Sequence, residues 1–159
     1  MTGSRPASCR WFVFLAIALP LLFAWFTNHA WEDYYITLRA SRNLAEGNGL
    51  VFNPGERVHT FTSPLGVLVP ALFTWLTGPN HEQTALWLFR IFSAGLLGGA
   101  ALLFWRRADS LGIGLIGRVT FFGLCFANAR LVDFSINGME TAILVFFVFL
   151  LWSELEQPT

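Results

Sequence analysis

Five apolar runs limit what this chain can fold into. They occupy residues 11–26, 64–77, 84–105, 111–129 and 139–152. Only 13% of the residues are charged, and seven Trp and seventeen Phe add to the apolar surface, which is far from the composition of a soluble domain. The longer runs are typical of membrane helices. The sequence therefore predicts an all-α integral membrane protein.

The charged residues and cysteines exclude several classes of function. All basic residues are arginines, and they are balanced by as many acids, so we expect no nucleic-acid partner and no polybasic lipid-binding tail. Cys9 precedes the first apolar run and Cys125 lies inside a later one, which matches neither a disulfide framework nor metal-ligand spacing. The three histidines are scattered through predicted loops, so no histidine metal site is predicted.

The apolar runs also predict a topology. No clear cleavage site follows the first run, so we expect a retained anchor rather than a signal peptide. Arg5 and Arg10 precede it and place the N-terminus in the cytoplasm by the positive-inside rule. About four spans are predicted, with an extracytoplasmic loop at residues 28–83; the spans are residues 11–27, 84–105, 111–129 and 137–153.

The run from Pro64 to Thr77 is predicted not to cross the bilayer. Its fourteen residues make a helix of about 21 Å at ~1.5 Å per residue, short of the ~30 Å hydrocarbon core. If it crossed, Arg106 and Arg107 would lie outside, and the acids near residue 32 would be across the membrane from Glu140. We therefore expect a re-entrant or interfacial helix.

Residues 31–65 form the one polar, motif-dense block. Glu32 and Asp33 precede a predicted helix from Tyr34 to Glu46, where acids favour the positive end of the helix dipole. The glycines that follow at 47 and 49 tolerate left-handed backbone and end the helix.

The second half of this block predicts a small hairpin and a new helix. Leu50 to Phe52 has the pattern of a short strand, and Asn53 to Glu56 has that of a turn with Pro at its second position and Gly at its third. Ser63 is the predicted cap and Pro64 the first residue of the next helix.

The run EDYYITLRASRNLAEGNGLVFNPGERVHTFTSPL strongly resembles the first extracytoplasmic loop of GT-C glycosyltransferases, in particular the arabinofuranosyl- and mannosyltransferase-like group. Residues 137–141, reading NGMET, look like a later motif of that group. The resemblance covers about residues 10 to 155. It departs from the family at Glu32-Asp33-Tyr34, where the family usually has two aspartates and a small residue, and in length, since such transferases have many more spans. The chain therefore looks like an N-terminal piece.

The resemblance implies a multi-pass inner-membrane enzyme that transfers a sugar from a polyprenyl phosphate to a cell-envelope glycan, lipid or protein. Glu32 or Asp33 would be the base that takes the acceptor proton. Arginines would meet the lipid phosphate, because a guanidinium gives phosphate two parallel hydrogen bonds. The expected substrate-binding residues are Trp31, Arg39, Arg42, Arg57, Arg90 and Glu140. No cofactor is predicted with certainty, and a divalent metal is left open.

Two other classes of function remain at this point. A non-catalytic membrane module that binds a lipid phosphate or a partner subunit would fit the short chain. A small transporter subunit would fit an intramembrane charge such as Arg90, although no internal repeat supports it.

The non-crossing helix gives the first prediction. In a chain that carries Cys9→Ser and Cys125→Ser, an Asn80→Cys residue is expected to react with a membrane-impermeant maleimide added from outside the cell, because residue 80 follows the helix that turns back. Labelling from the cytoplasmic side alone would contradict the re-entrant or interfacial arrangement.

Overall fold

The computed structural model describes residues 6–56, 58, 61 and 63–155. Within them the chain is all-α, with no strand, which agrees with the predicted fold class. The helices are α1 (Pro6–Thr27), α2 (Glu32–Ala45), α3 (Pro64–Thr77), α4 (Glu82–Ser110), α5 (Leu115–Phe126), α6 (Ala129–Ile136) and α7 (Thr141–Glu154).

Two of these helices, α1 and α4, are long and apolar enough to cross a membrane, and α5 with α6 counts as a third if the bent pair is one span. The helices α3 and α7 are apolar but shorter, with 14 residues each. This chain is therefore a membrane protein, and the count of four spans stays a prediction.

The helix within the predicted span at residues 111–129 ends at Phe126 and a second helix follows, while the span itself stays a prediction. Helices α5 and α6 meet at an angle of 51°. The side chain of Asn128 accepts hydrogen bonds from the backbone N–H groups of Arg130 and Leu131 and so starts a new helix. Ile136 ends α6 and Thr141 begins α7, so the helix within the predicted span at residues 137–153 starts at Thr141.

Helix α4 is the centre of the bundle and packs against α1, α3 and α7. Phe104 on α4 stacks on Phe121 at 4.3 Å between ring centroids, and Phe149 on α7 closes the same cluster. Helix α2 lies against α3, where the hydroxyl of Ser41 donates to the carbonyl oxygen of Val67 at 2.9 Å. The polar block is thus held to α4 through α3 and also directly, since the ring centroids of Tyr34 and Phe89 lie 6.3 Å apart.

Most of the predictions for the polar block are confirmed, but not the strand. Helix α2 begins at Glu32, so the acids occupy its first turn, and Gly47 follows its end with a φ of +82°. Leu50 to Phe52 is irregular, because the amide of Asn43 donates to the carbonyl oxygens of Val51 and Phe52 and takes the place of a strand partner.

The turn and the next helix follow the sequence pattern. The backbone N–H of Glu56 bonds to the carbonyl oxygen of Asn53 at 3.1 Å, which closes the predicted turn. Helix α3 has its predicted bounds, and the hydroxyl of Ser63 accepts from the backbone N–H of Gly66 at 3.2 Å. The cap residue was therefore correctly predicted.

The contact between α1 and α4 depends on a glycine. A Cβ at residue 98 would lie 2.6 Å from Cγ1 of Ile17, whereas a Cβ at Gly95 would meet nothing within 4 Å. Glycines at such positions let two membrane helices approach closely.

We expect Gly98→Leu to lower the melting temperature of the detergent-solubilised chain, because α1 must move away from α4. Gly95→Leu is the matched control, since it adds the same side chain one turn away in open space. Equal melting temperatures for the two variants would contradict this account of the packing.

Candidate functional site

The two motifs that are far apart in the sequence meet at one end of the bundle. The backbone N–H of Trp31 donates to the carbonyl oxygen of Asn137 at 3.0 Å. The ring of Trp31 stacks on Phe134 with 4.9 Å between centroids and 12° between planes. The residue before the acid pair is therefore fixed to α6 and to the turn that follows it.

The next residue of the second motif continues this contact. Gly138 has a φ of +102°, and a Cβ there would lie 2.5 Å from Cβ of Tyr34. Only glycine fits both the backbone and the space. Burial raises the pKa of Tyr34, so its hydroxyl stays neutral. The side chain fills the space between its own helix, α2, and the 137–140 turn.

Arg90 on α4 donates hydrogen bonds to the segment before the first motif and to the second motif. Its side chain is fully buried, and Nη2 donates to the carbonyl oxygen of His29 at 2.6 Å and to Oδ1 of Asn137 at 3.3 Å. Nδ2 of Asn137 in turn donates to Asp133 at 2.6 Å. The guanidinium also lies 4.8 Å from the ring centroid of Trp87.

This enclosure bears on the predicted role of Arg90. The sequence suggested a phosphate contact or a pairing with Glu140, and its hydrogen bonds go instead to His29 and Asn137. A guanidinium without exposed surface holds backbone and side-chain oxygens in place rather than meeting a ligand from solvent. Arg90 thus joins the segment before the acid pair to the second motif, and its predicted contact with the substrate stays a prediction.

The two acids are both exposed but lie on different faces of α2. By helix geometry Asp33 shares a stripe with Thr37 and Ser41, and Ser41 contacts α3. Glu32 shares the opposite stripe with Tyr35 and with Arg39 further along. A base at residue 33 would therefore act on an acceptor bound beside α3. A base at residue 32 would act on an acceptor bound at the opposite face of α2.

Glu140 lies on the side of α3. A Cβ at Gly66 would be 3.3 Å from Oε2 of Glu140 and 3.3 Å from Cβ of Ser63, so this carboxylate sits against the first turn of α3. The first turn of a helix carries partial positive charge, which favours an acid there. The structure thus brings Glu140 to the end of the molecule that carries the acid pair.

The two loop arginines predicted to meet phosphate are engaged within the protein. Nη2 of Arg39 donates to Oδ1 of Asn53 at 2.8 Å, and the guanidinium lies 4.4 Å from the ring centroid of Phe52. Arg42 forms ion pairs with Glu46 at 2.9 Å and with Glu82 at 3.2 Å. The hydrogen bond that Arg42 donates to Glu46, with the nearby negative charges, raises the pKa of Arg42. Arg57 lies outside the described residues.

A cavity of about 430 Å³ opens beside these arginines. Of the residues that line it, only Arg39 and Arg42 were predicted from the sequence as site residues, and Tyr35 and Glu82 are among those that were missed. An acid at the start of a helix, as at Glu82, gives no sign that it reaches an arginine forty residues earlier. The exposed Tyr35 beside the acids was the available signal.

The described residues contain no group of three or more His, Cys, Asp or Glu side chains arranged to hold a metal ion.

Substitution of Arg90 tests its positioning role. Arg90→Met leaves the buried side-chain oxygen of Asn137 without this donor, and such a group costs about 1–3 kcal/mol; the carbonyl oxygen of His29 also loses its hydrogen bond. We expect a clear drop in the melting temperature of the detergent-solubilised chain, and a smaller one for Arg90→Lys, which keeps one donor. Arg106→Met is the control, because Arg106 is exposed. An Arg90→Met chain as stable as this control would contradict the role.

Two proteins of known name are similar to this chain, and both carry the same name. No protein-family model matches the chain, and no solved structure matches it significantly. It is 37% identical over 126 residues to a protein of Corynebacterium glutamicum named terminal beta-(1->2)-arabinofuranosyltransferase, and that match covers 76% of this chain. A Mycobacterium tuberculosis protein of the same name is 33% identical over 150 residues, or 85% of this chain.

These relatives are much longer than this chain. The matches cover 17% of the Corynebacterium protein and 22% of the Mycobacterium protein. Over most of its own length, the chain therefore belongs with the GT-C-type membrane arabinofuranosyltransferases, as the counterpart of about a fifth of their length.

Proposed function

We propose that this chain is the part of a membrane glycosyltransferase that carries the catalytic acid pair. The enzyme would transfer a sugar from a polyprenyl-phosphate donor to an acceptor in the cell envelope. The names of the relatives support transfer of arabinofuranose. The observation that carries the proposal is the meeting of the two motifs, in which Trp31 and Tyr34 on either side of the acids contact Asn137 and Gly138.

The chemistry needs a carboxylate at the acceptor. As the new bond forms between the acceptor oxygen and the anomeric carbon, the bond from that carbon to the phosphate breaks, and the acceptor hydroxyl gives its proton to a base. An exposed carboxylate at a helix end can reach such a hydroxyl. Both acids of α2 meet this requirement.

We assign the base to Asp33 and a supporting role to Glu32. Asp33 lies on the stripe of α2 that faces α3, and Glu140 lies against the first turn of that helix. Two carboxylates would then face one reaction space. Glu32 stands where the family that the sequence resembles usually has the first aspartate, and by helix geometry it lies on the same stripe of α2 as Tyr35.

The lipid-linked donor places the reaction at the membrane surface. We propose a multi-pass protein of the inner membrane with its N-terminus in the cytoplasm and the acid pair outside. Helix α3 begins beside Glu140 and ends at Thr77, with four residues between it and the start of α4, so both of its connections lead to the end that holds the acids. This supports a helix that does not cross.

The leaving phosphate needs a cation nearby. Arg90 is enclosed, and Arg42 is neutralised by two carboxylates, so neither is a strong candidate. Arg57, in the same loop, is the residue that we propose for this contact.

The acid pair is tested by transfer in membranes that contain the native polypeptide. The double variant Glu32→Gln with Asp33→Asn is expected to lose at least about a hundredfold in transfer from a polyprenyl-phosphate arabinose, because general base catalysis contributes roughly that much. Asp33→Asn alone is expected to lose most of it. Glu154→Gln, an exposed acid at the end of α7, is the control.

Full activity of the double variant would remove both acids from the mechanism. Loss of function on changing the loop arginines Arg39 and Arg42, with none on changing the acids, would point instead to a module that binds without catalysis. Membrane insertion, followed by the amount of chain in the membrane fraction, must be unchanged in every variant.

A further inference from the structure

The cavity beside α2 lies on a different face from Asp33 and Glu140. It is lined on one side by residues of α2, and its far wall is formed by Pro54 and Glu82. Its volume of about 430 Å³ falls in the range of small-molecule sites, which is roughly 300–1,000 Å³. A ligand of one or two sugar rings is of suitable size.

The charges in this cavity cancel. Two arginines and two glutamates line it, and Arg42 is bonded to both glutamates, Glu46 and Glu82. Arg39 is held by the neutral amide of Asn53, which itself donates to Glu56 at 2.9 Å. A phosphate would have to compete with carboxylates that already occupy the guanidinium of Arg42. A neutral ligand meets no such competition.

The polar groups suit hydroxyls. The ion pairs hold guanidinium donors and carboxylate acceptors at fixed positions, and Asn43 uses its amide nitrogen on the carbonyl oxygens of Val51 and Phe52, so that its oxygen is the atom it can offer. Sugar hydroxyls both donate and accept, and therefore fit a wall of alternating donors and acceptors.

An aromatic ring completes the wall next to the acids. Tyr35 is 54% exposed, and its ring is braced edge-on by Tyr34 at 5.6 Å between centroids. A fixed and exposed ring offers an apolar face together with a polar tip, as the C–H face of a sugar requires. By helix geometry Tyr35 lies one turn from Glu32, so a ligand on this ring extends towards the acid pair.

From this arrangement we infer that the cavity of Tyr35, Arg42, Asn43, Glu46 and Glu82 binds the neutral glycan acceptor, and that the lipid phosphate does not enter it. The inference rests on the proposed function for the identity of the glycan, since the names of the relatives give arabinofuranose as the sugar transferred. It gives Arg39 and Arg42 a role in holding the acceptor rather than the donor.

Direct binding tests this site without requiring transfer. The purified chain in detergent is titrated with a neutral linear arabinofuranose tetrasaccharide, followed by saturation-transfer NMR. Tyr35→Ala is expected to weaken binding about tenfold through loss of one aromatic contact. Ile36→Ala is the matched control, because Ile36 is the next residue of α2, is also exposed and lies outside the cavity lining. Unchanged melting temperatures show that both variants fold.

Inorganic phosphate tests the charge argument. It is expected not to compete with the tetrasaccharide in the unmodified chain, and to bind once Glu46→Gln and Glu82→Gln give the cavity two uncompensated arginines. Three results would overturn the inference: no binding of the tetrasaccharide, equal affinity of the Tyr35→Ala and Ile36→Ala chains, or competition by phosphate in the unmodified chain.

The Asp33→Asn chain separates this inference from the proposed function. It is expected to bind the tetrasaccharide normally while transfer is lost. If transfer survives in that variant, the proposed base is wrong and the binding site stands.

Discussion

A buried arginine organises the end of the bundle where the motifs meet. Burying a charge is costly unless it is hydrogen-bonded, and Nη2 of Arg90 offsets part of that cost by donating to the carbonyl oxygen of His29 and the side chain of Asn137. These two oxygens belong to segments more than a hundred residues apart, and α4 holds both. The positions of the acid pair and of the second motif therefore depend on one guanidinium.

The arginines at this end show that residue type alone does not assign a role. Arg90 is enclosed and joins backbone segments, whereas Arg42 is shared between two carboxylates and Arg39 lies over Phe52. The same chemical group thus holds the fold in one place and shapes a cavity in another. What separates these cases is the exposure of the group and the charge of its neighbours.

Local signals were predicted well from the sequence, and contacts between distant segments were not. Ser63 and Pro64 fixed the start of α3, since a cap and a proline act within one turn. The strand at Leu50 to Phe52 failed because the side chain of Asn43 captured its carbonyl oxygens. The break at Asn128 was missed because a single capping residue within a long apolar run is not enough to predict a new helix start. No local pattern could indicate that Glu82 reaches Arg42.

The close approach of Gly66 to Glu140 joins two positions that are far apart in the chain. Gly66 has no side chain, so the carboxylate of Glu140 can lie beside its backbone. Oε2 of Glu140 is 3.3 Å from the position that a Cβ at residue 66 would take. The two positions thus share one volume. In related sequences a larger residue at 66 is expected to occur with a shorter one at 140, so that these positions vary together although neither is near the other in the chain.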